Sequence, residues 1–295
     1  MPFPPLKEVE PLLGVDPADC DFYHRFDIPG LGESDGPWDL RAGAADYLGH
    51  AQLAGKRVLE IGPASGFLSF WMEAQGATVT CLEPDLDHFW DLVPTAAADL
   101  IAFHGDFRQH ITRIRNSFWL ARERLGSKVK VVHGSAYALP ADFGPFDLTV
   151  LSSILLHTKL PLEIIAQCAA VTREAMVVTE RYWPELGGEP VMRFEPEPGK
   201  RAVDTWWRFT PAIVTQMLGV YGFTDARTGY HRQPCYADGK TYAIELFTTL
   251  AARKSDGARG AGIESGRAGA GLDPPVTCRR CPTAPRPAAR SPWSA

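Results

Sequence analysis

Five short apolar runs punctuate the middle of the chain: Arg57–Ile61, Thr78–Leu82, Val129–Val132, Asp147–Leu151 and Ala175–Thr179. Each is rich in β-branched residues or leucine and is bounded by turn residues, which predicts strands. Between them apolar positions recur at helical spacing, over Gly66–Gln75, Asp106–Leu125 and Pro161–Ala170. Strands alternating with helices predict a parallel sheet with right-handed crossovers. The end of the pattern differs. Two strand-like runs, Gly222–Thr228 and Thr241–Leu250, are joined by "GYHRQPCYADGK". That link leaves little room for a helical crossover and predicts an antiparallel hairpin. The expected architecture is α/β and doubly wound, with a mostly parallel seven-stranded sheet and an antiparallel edge strand.

This pattern places one domain over residues 38–250, preceded by an N-terminal extension over 1–37. The stretch 251–295 is rich in Gly, Ala, Arg and Pro and has almost no aliphatic periodicity. It cannot bury enough apolar surface to offset its ordering entropy, so it is expected to be disordered. No internal repeat is present. No apolar run reaches the roughly 18 residues of a membrane span, and the start lacks the basic and apolar regions of a signal peptide. The expectation is a cytoplasmic protein.

Charge narrows the partners. The net charge is −5, and the stretch from Ala251 on holds eight basic and three acidic residues, so the first 250 residues carry −10. Such a body is a poor general polyanion binder. Of the cysteines at 20, 81, 168, 235, 278 and 281, only Cys278 and Cys281 have a metal-like spacing. No second pair or histidine partner follows them, so no metal site is expected.

The chemistry concentrates in "VLEIGPASGFLSF", Val58 to Phe70, a strand, a glycine turn and a helix start. A dinucleotide fingerprint begun at Gly62 would need glycines where Ala64 and Phe67 stand. A phosphate loop would need a lysine after Gly66, and none is there. What remains is Glu60-x-Gly62-x-x-x-Gly66, followed by an acid, Glu83, at the end of the next strand. Glycines let a backbone approach a ligand closely, and a strand-end carboxylate can accept two hydrogen bonds from ribose hydroxyls.

This segment resembles motif I of the class I S-adenosylmethionine-dependent methyltransferases. Further segments resemble that family in order: "VVHGSAYALP" (Val131–Pro140), "FGPFDLTVLSSILLHTKLP" (Phe143–Pro161) and "WWRFTPAIVTQMLGVYGF" (Trp206–Phe223). The resemblance implies a Rossmann-like methyltransferase fold and S-adenosyl-L-methionine as cofactor. It implies that Gly62, Ala64 and Gly66 form the cofactor turn, that Glu83 holds the ribose, and that Ser135 and Ala136 meet the adenine. Ala64 replaces a usual glycine, and Ser135 stands where an acid is common. Glu60 would either reach the cofactor's amino group through water or brace the loop.

Before the first strand, Trp38 and Arg41 either start a surface helix or close over the cofactor, Arg41 then pairing with its carboxylate. "FYHRFDIPGLGESDGPWDLR" resembles the N-terminal flank of wobble-uridine tRNA-modifying methyltransferase relatives. His157 follows the fourth strand, where the family places substrate-facing groups. It is the candidate catalytic residue, a base for a hydroxyl or amine acceptor; the alternative is a histidine that only bonds nearby backbone. Seven basic residues between Phe107 and Lys130 face one acid, Glu123. They read either as an RNA grip or as the solvated side of an amphipathic helix. Tyr182, Trp183, Arg193, Trp206, Trp207 and Arg208 are candidates for an acceptor pocket or for core. The expected function is methyl transfer to the oxygen or nitrogen of a small molecule. The alternatives are a tRNA wobble-uridine-type enzyme, with RNA as partner, and a non-catalytic binding or scaffold protein on the same fold.

Overall fold

The computed structural model describes residues 3, 5–86, 91–96, 99–199 and 203–254, with backbone only at 102. The stretch 255–295, with Cys278 and Cys281, lies outside the described residues.

Twelve strands and five α-helices are present among them. In chain order they are β1 (Lys7–Val9), β2 (Asp27–Ile28), β3 (Gly32–Glu33), α1 (Ala44–Tyr47), β4 (Arg57–Ile61), α2 (Phe67–Ala74), β5 (Thr78–Glu83), α3 (Leu100–Leu125), β6 (Lys130–His133), β7 (Phe146–Ser152), α4 (Pro161–Val171), β8 (Thr172–Arg181), β9 (Met192–Phe194), β10 (Trp207–Phe209), α5 (Pro211–Val220), β11 (Asp225–Ala237) and β12 (Lys240–Ala252). Eight strands form the main sheet in the order β1-β6-β5-β4-β7-β8-β12-β11. The five central strands run parallel, β12 runs antiparallel to β8, and β11 returns antiparallel to β12. The sheet is doubly wound, as the alternation of strands and helices requires.

Period-two alternation divides the apolar side chains between two cores. Val58, Val150 and Val177 face α2, α3 and the N-terminal segment. Their neighbours Leu59, Leu151 and Val178 face α4 and α5. Pro161 opens α4 and Pro211 opens α5, where a missing N–H costs nothing. Thr210 caps α5, its hydroxyl accepting from Ile213 N at 3.3 Å.

Two expectations are corrected. The main sheet has eight strands, because Lys7–Val9 pairs antiparallel with β6. The closing hairpin does lie at one edge, with β11 outermost and antiparallel to β12. The residues read as a hairpin loop are strand: β11 and β12 pair from Asp225↔Ala252 to Ala237↔Lys240 and turn at Asp238-Gly239, both with positive φ. Gly229 and Pro234 hid this continuity, since both residue types weaken a strand signal. The N-terminal segment packs on the same body, with Phe22, Phe26 and Ile28 buried against α2 and α3.

Candidate functional site

β4 sits where the strand order reverses: β5 and β6 lie to one side of it, β7 and β8 to the other. In an open α/β sheet the crevice beyond the carboxyl ends of the strands at this point is the natural ligand site. Three adjoining cavities occupy it. The large one, about 510 Å³, is bordered by Ile61, Gly62, Leu82, Ser135, Ala136 and His157 among others. A middle cavity of about 60 Å³ adds Tyr23, Glu83, Arg115 and Ser153. An inner one, also about 60 Å³, lies among Tyr23, Trp38, Tyr47, Glu60, Pro63 and Ser152. Gly62 borders all three.

The turn after β4 requires its glycines. Gly62 has φ +71° and Gly66 φ +88°, both in the left-handed region. A Cβ on Gly66 would lie 2.6 Å from the Phe118 and Phe70 rings, and one on Gly62 2.5 Å from Ile154 Cδ1. Ala64, between them, also has a positive φ of 49°. The methyl group therefore fits a conformation that costs an L-residue ~1–2 kcal/mol. Ser153, which shares the middle and inner cavities with Ala64, is likewise left-handed at φ +53°. Such strain gathers at ligand sites.

Glu83 ends β5 beside this turn. Burial raises its pKa, while the Arg115 guanidinium and a hydrogen bond from the Ala64 backbone N–H act in the opposite direction. Arg115 Nη2 stands 3.8 Å from its carboxylate. Ser135 and Ala136 border the large cavity, where the Ser135 hydroxyl accepts from Tyr137 N at 3.2 Å. His157 is buried and borders both the large and middle cavities. Its Nδ1 contacts the Asp204 carbonyl, an acceptor only, so Nδ1 carries the proton and Nε2 the lone pair. Burial lowers its pKa to about 4, which leaves it neutral at physiological pH.

One expectation for the site meets a different geometry. Arg41 borders none of the three cavities. Its guanidinium is engaged by Asp39 and Glu33, each at 2.7 Å, and by Asp27 at 3.7 Å. Three carboxylates hold it on the surface and away from the crevice. Glu60 is 1% exposed and accepts from Ser69 Oγ at 2.5 Å and Cys81 Sγ at 3.6 Å. Burial pushes its carboxyl up to about 7. It ties β4 to α2 and β5 beneath the turn while also bordering the inner cavity.

The basic run has structural work of its own. Arg113 donates to the Ala18 and Cys20 carbonyls, Arg115 to that of Pro84, and Arg122 to that of Val129. Phe107, Ile111, Ile114 and Phe118 are buried along the opposite side of α3. This is the amphipathic helix, and these three arginines reach inward to the protein's own groups. Nor do the six residues expected near an acceptor border the cavities. Trp206 and Trp207 brace the region from outside through Nε1 bonds to the Asp91 and Thr158 carbonyls, and Arg208 stacks 3.8 Å over the Trp183 ring. Sequence reasoning missed Tyr23, Arg115, Tyr137 and Ser152 as crevice residues. Ser152 and Tyr137 stand in segments that carried the family resemblance, Ser152 as the last residue of β7 and Tyr137 in the loop after β6.

The crevice fits an adenosyl ligand on its own evidence. Three of the buried side-chain atoms without a hydrogen-bond partner, Trp38 Nε1, Arg115 Nε and Ser152 Oγ, belong to residues that border it. A buried donor left unmet costs ~1–3 kcal/mol. The glycine turn, the strand-end acid and the switch point occur together in one doubly wound sheet with a reversed strand. The fold is a Rossmann-like, doubly wound α/β sheet.

No family model and no curated protein matches the chain. Among solved structures it is similar to magnesium protoporphyrin IX methyltransferase from Synechocystis PCC 6803 with bound S-adenosylhomocysteine, at 16% identity and a TM-score of 0.45 over 73% of this chain and 82% of that one. It is also similar to the 1,6-didemethyltoxoflavin-N1-methyltransferase of Burkholderia thailandensis, at 17% identity and a TM-score of 0.46 over 73% and 78% of the two chains. None of the described helices is long and apolar enough to cross a membrane.

Proposed function

We propose that the protein is an S-adenosylmethionine-dependent methyltransferase acting on a small-molecule acceptor. One observation carries this reading: the left-handed turn Gly62–Gly66 and the buried carboxylate of Glu83 meet at the switch point of the sheet, joined by the Ala64 N–H. When bound, S-adenosylmethionine supplies a methyl carbon on a sulfonium, open to in-line displacement. The chain's own residues do the rest. Glu83 accepts hydrogen bonds from the ribose hydroxyls. Ser135 and Ala136 border the adenine end, and Gly62 gives the backbone its close approach. His157, neutral and with its lone pair on Nε2, takes the proton from a hydroxyl or amine acceptor. Alignment of the two reactants supplies much of the acceleration, so loss of His157 slows the reaction without abolishing it.

The neighbours named above act on a porphyrin and a toxoflavin precursor, by their names, and this reading of a small acceptor rests instead on the acidic body and on the internal use of Arg113, Arg115 and Arg122. The test has two parts. Titration calorimetry with S-adenosylhomocysteine should give saturable heat, and Glu83→Ala should weaken it at least about tenfold, the loss of ~1.4 kcal/mol. Incubation with methyl-tritiated S-adenosylmethionine should then label a small-molecule extract but not bulk tRNA. Absence of both heat and thermal shift in the unmodified protein would end this reading; label in tRNA would end the small-molecule part of it.

A further inference from the structure

Arg181 closes β8 at the carboxyl end of the strand, the side of the sheet on which the crevice lies. Its neighbour Glu180 accepts from Leu155 N at 2.9 Å and so ties this strand end to the segment that carries His157. The approach to β10 is tied to the same segment, Trp206 N donating to the Leu156 carbonyl at 2.8 Å. Together these links gather three side chains. The Arg181 guanidinium lies 4.4 Å from the centre of the Trp183 ring, and that of Arg208 lies 3.8 Å from it.

The two cations are not provided for alike. Arg208 is met by Glu195 at 2.6 Å and by Glu185 at 3.1 Å. Arg181 is partly buried, and among the described residues no carboxylate lies within ion-pair distance of it and no carbonyl accepts from it. Burial and the like charge of Arg208 both oppose its charged form, while Cys235 and Glu185 act the other way from beyond contact. Arginine keeps its proton regardless. It is left with one flat side on Trp183 and its N–H donors unspent. A cation that has lost part of its water is stabilised by an anion, and the guanidinium edge fits an oxyanion through two parallel hydrogen bonds. Cys235 also connects this cation to the crevice, since it bridges to Trp38, which borders the inner cavity. Arg181 itself borders none of the three cavities, so cofactor binding does not depend on it.

We infer that the methyl acceptor carries an oxyanion, carboxylate or phosphate, and that Arg181 binds it while the reacting group faces His157. The inference rests on the proposed function and names the chemical class of its acceptor. The acidic body repels an anion elsewhere, so an unpaired cation beside the crevice also selects where the acceptor docks.

Calorimetry on the protein saturated with S-adenosylhomocysteine tests this with three probes: benzoate, phenyl phosphate, and benzamide, which keeps the shape of benzoate without its charge. At least one anion should bind saturably, and benzamide about tenfold more weakly. The tighter of the two anions identifies the oxyanion. Arg181→Gln should weaken that anion about tenfold and leave S-adenosylhomocysteine unchanged. Arg232→Gln, at an exposed pair with Glu245, should change neither. The inference is overturned if no anion binds saturably, if benzamide binds equally well, if Arg181→Gln binds the anion as before, or if Arg232→Gln weakens it as much. Should Arg181→Gln also weaken S-adenosylhomocysteine by disturbing the fold, Arg181→Lys decides: a preference for the anion over benzamide kept there supports the site, and its loss overturns it. If the unmodified protein gives no heat with S-adenosylhomocysteine, the methyl-transfer reading itself fails, and the same anion titrations on the free protein still report on Arg181 alone.

Discussion

Arg115 Nη2 stands 3.8 Å from Glu83 Oε2, with the two side chains only 12% and 10% exposed. The pair joins the long crossover helix α3 to the strand end that is to hold the ribose. Burial opposes the charged form of Glu83, and the arginine offsets part of that penalty.

Arg115→Ala should therefore raise the Glu83 pKa further. A neutral carboxyl is a poorer acceptor for ribose hydroxyls. S-adenosylhomocysteine affinity should fall and should recover as pH rises, because a buried carboxyl regains its charge only at higher pH. Calorimetry as a function of pH is the check. A profile parallel to the unmodified protein's would show that Arg115 has no hold on the acid.

The turn makes opposite predictions for neighbouring positions. Gly66→Ala places a methyl 2.6 Å from two aromatic rings at φ +88°. Overpacking and left-handed strain together should cost about 2–4 kcal/mol. Ala64→Gly removes strain at φ +49°, and the added chain entropy of glycine offsets part of the gain. It should leave stability equal or higher by up to about 1 kcal/mol. Denaturant midpoints for the two variants test this; a clear loss in Ala64→Gly would mean that the alanine methyl packs better than its backbone suggests.

A third prediction concerns pH. Glu180, at the end of β8, accepts from Leu155 N at 2.9 Å and so holds the segment that carries His157. Burial pushes its carboxyl up to about 8 from the ordinary 4.5. The folded state thus binds more protons than the unfolded state between those values. Stability contributed by this group is full below the unfolded pKa and is lost as pH rises through about 8. Glu180→Gln keeps an acceptor for the backbone N–H and removes the titration. Its melting temperature should decline less between about pH 4 and about pH 9 than that of the unmodified protein, a window that brackets both carboxyl values. Equal slopes would place the pH dependence elsewhere.

The central strands were legible because each buries both faces and so concentrates apolar residues. Arg57–Ile61 was read with its observed bounds, and Pro161 marked the start of α4. The Gly62–Gly66 turn was legible because its backbone admits few residues. β1 left almost no trace: Lys7 and Glu8 are exposed and only Val9 turns inward, so no pattern can accumulate over three residues. Arg41 was misplaced because sequence distance from the turn said nothing of the carboxylates at Asp27, Glu33 and Asp39 that surround it in space. Trp38 and Ser152 come together only through the fold, one from the N-terminal segment and one from the end of β7.

β1 has a further consequence. The outer rim of β6 presents Val131 and Val132, an apolar ladder that any passing extended peptide could zip onto. Three residues from the same molecule already occupy those backbone positions, and two of them, Lys7 and Glu8, carry exposed charges. Trimming this short strap would bare the β6 backbone to strand pairing between molecules.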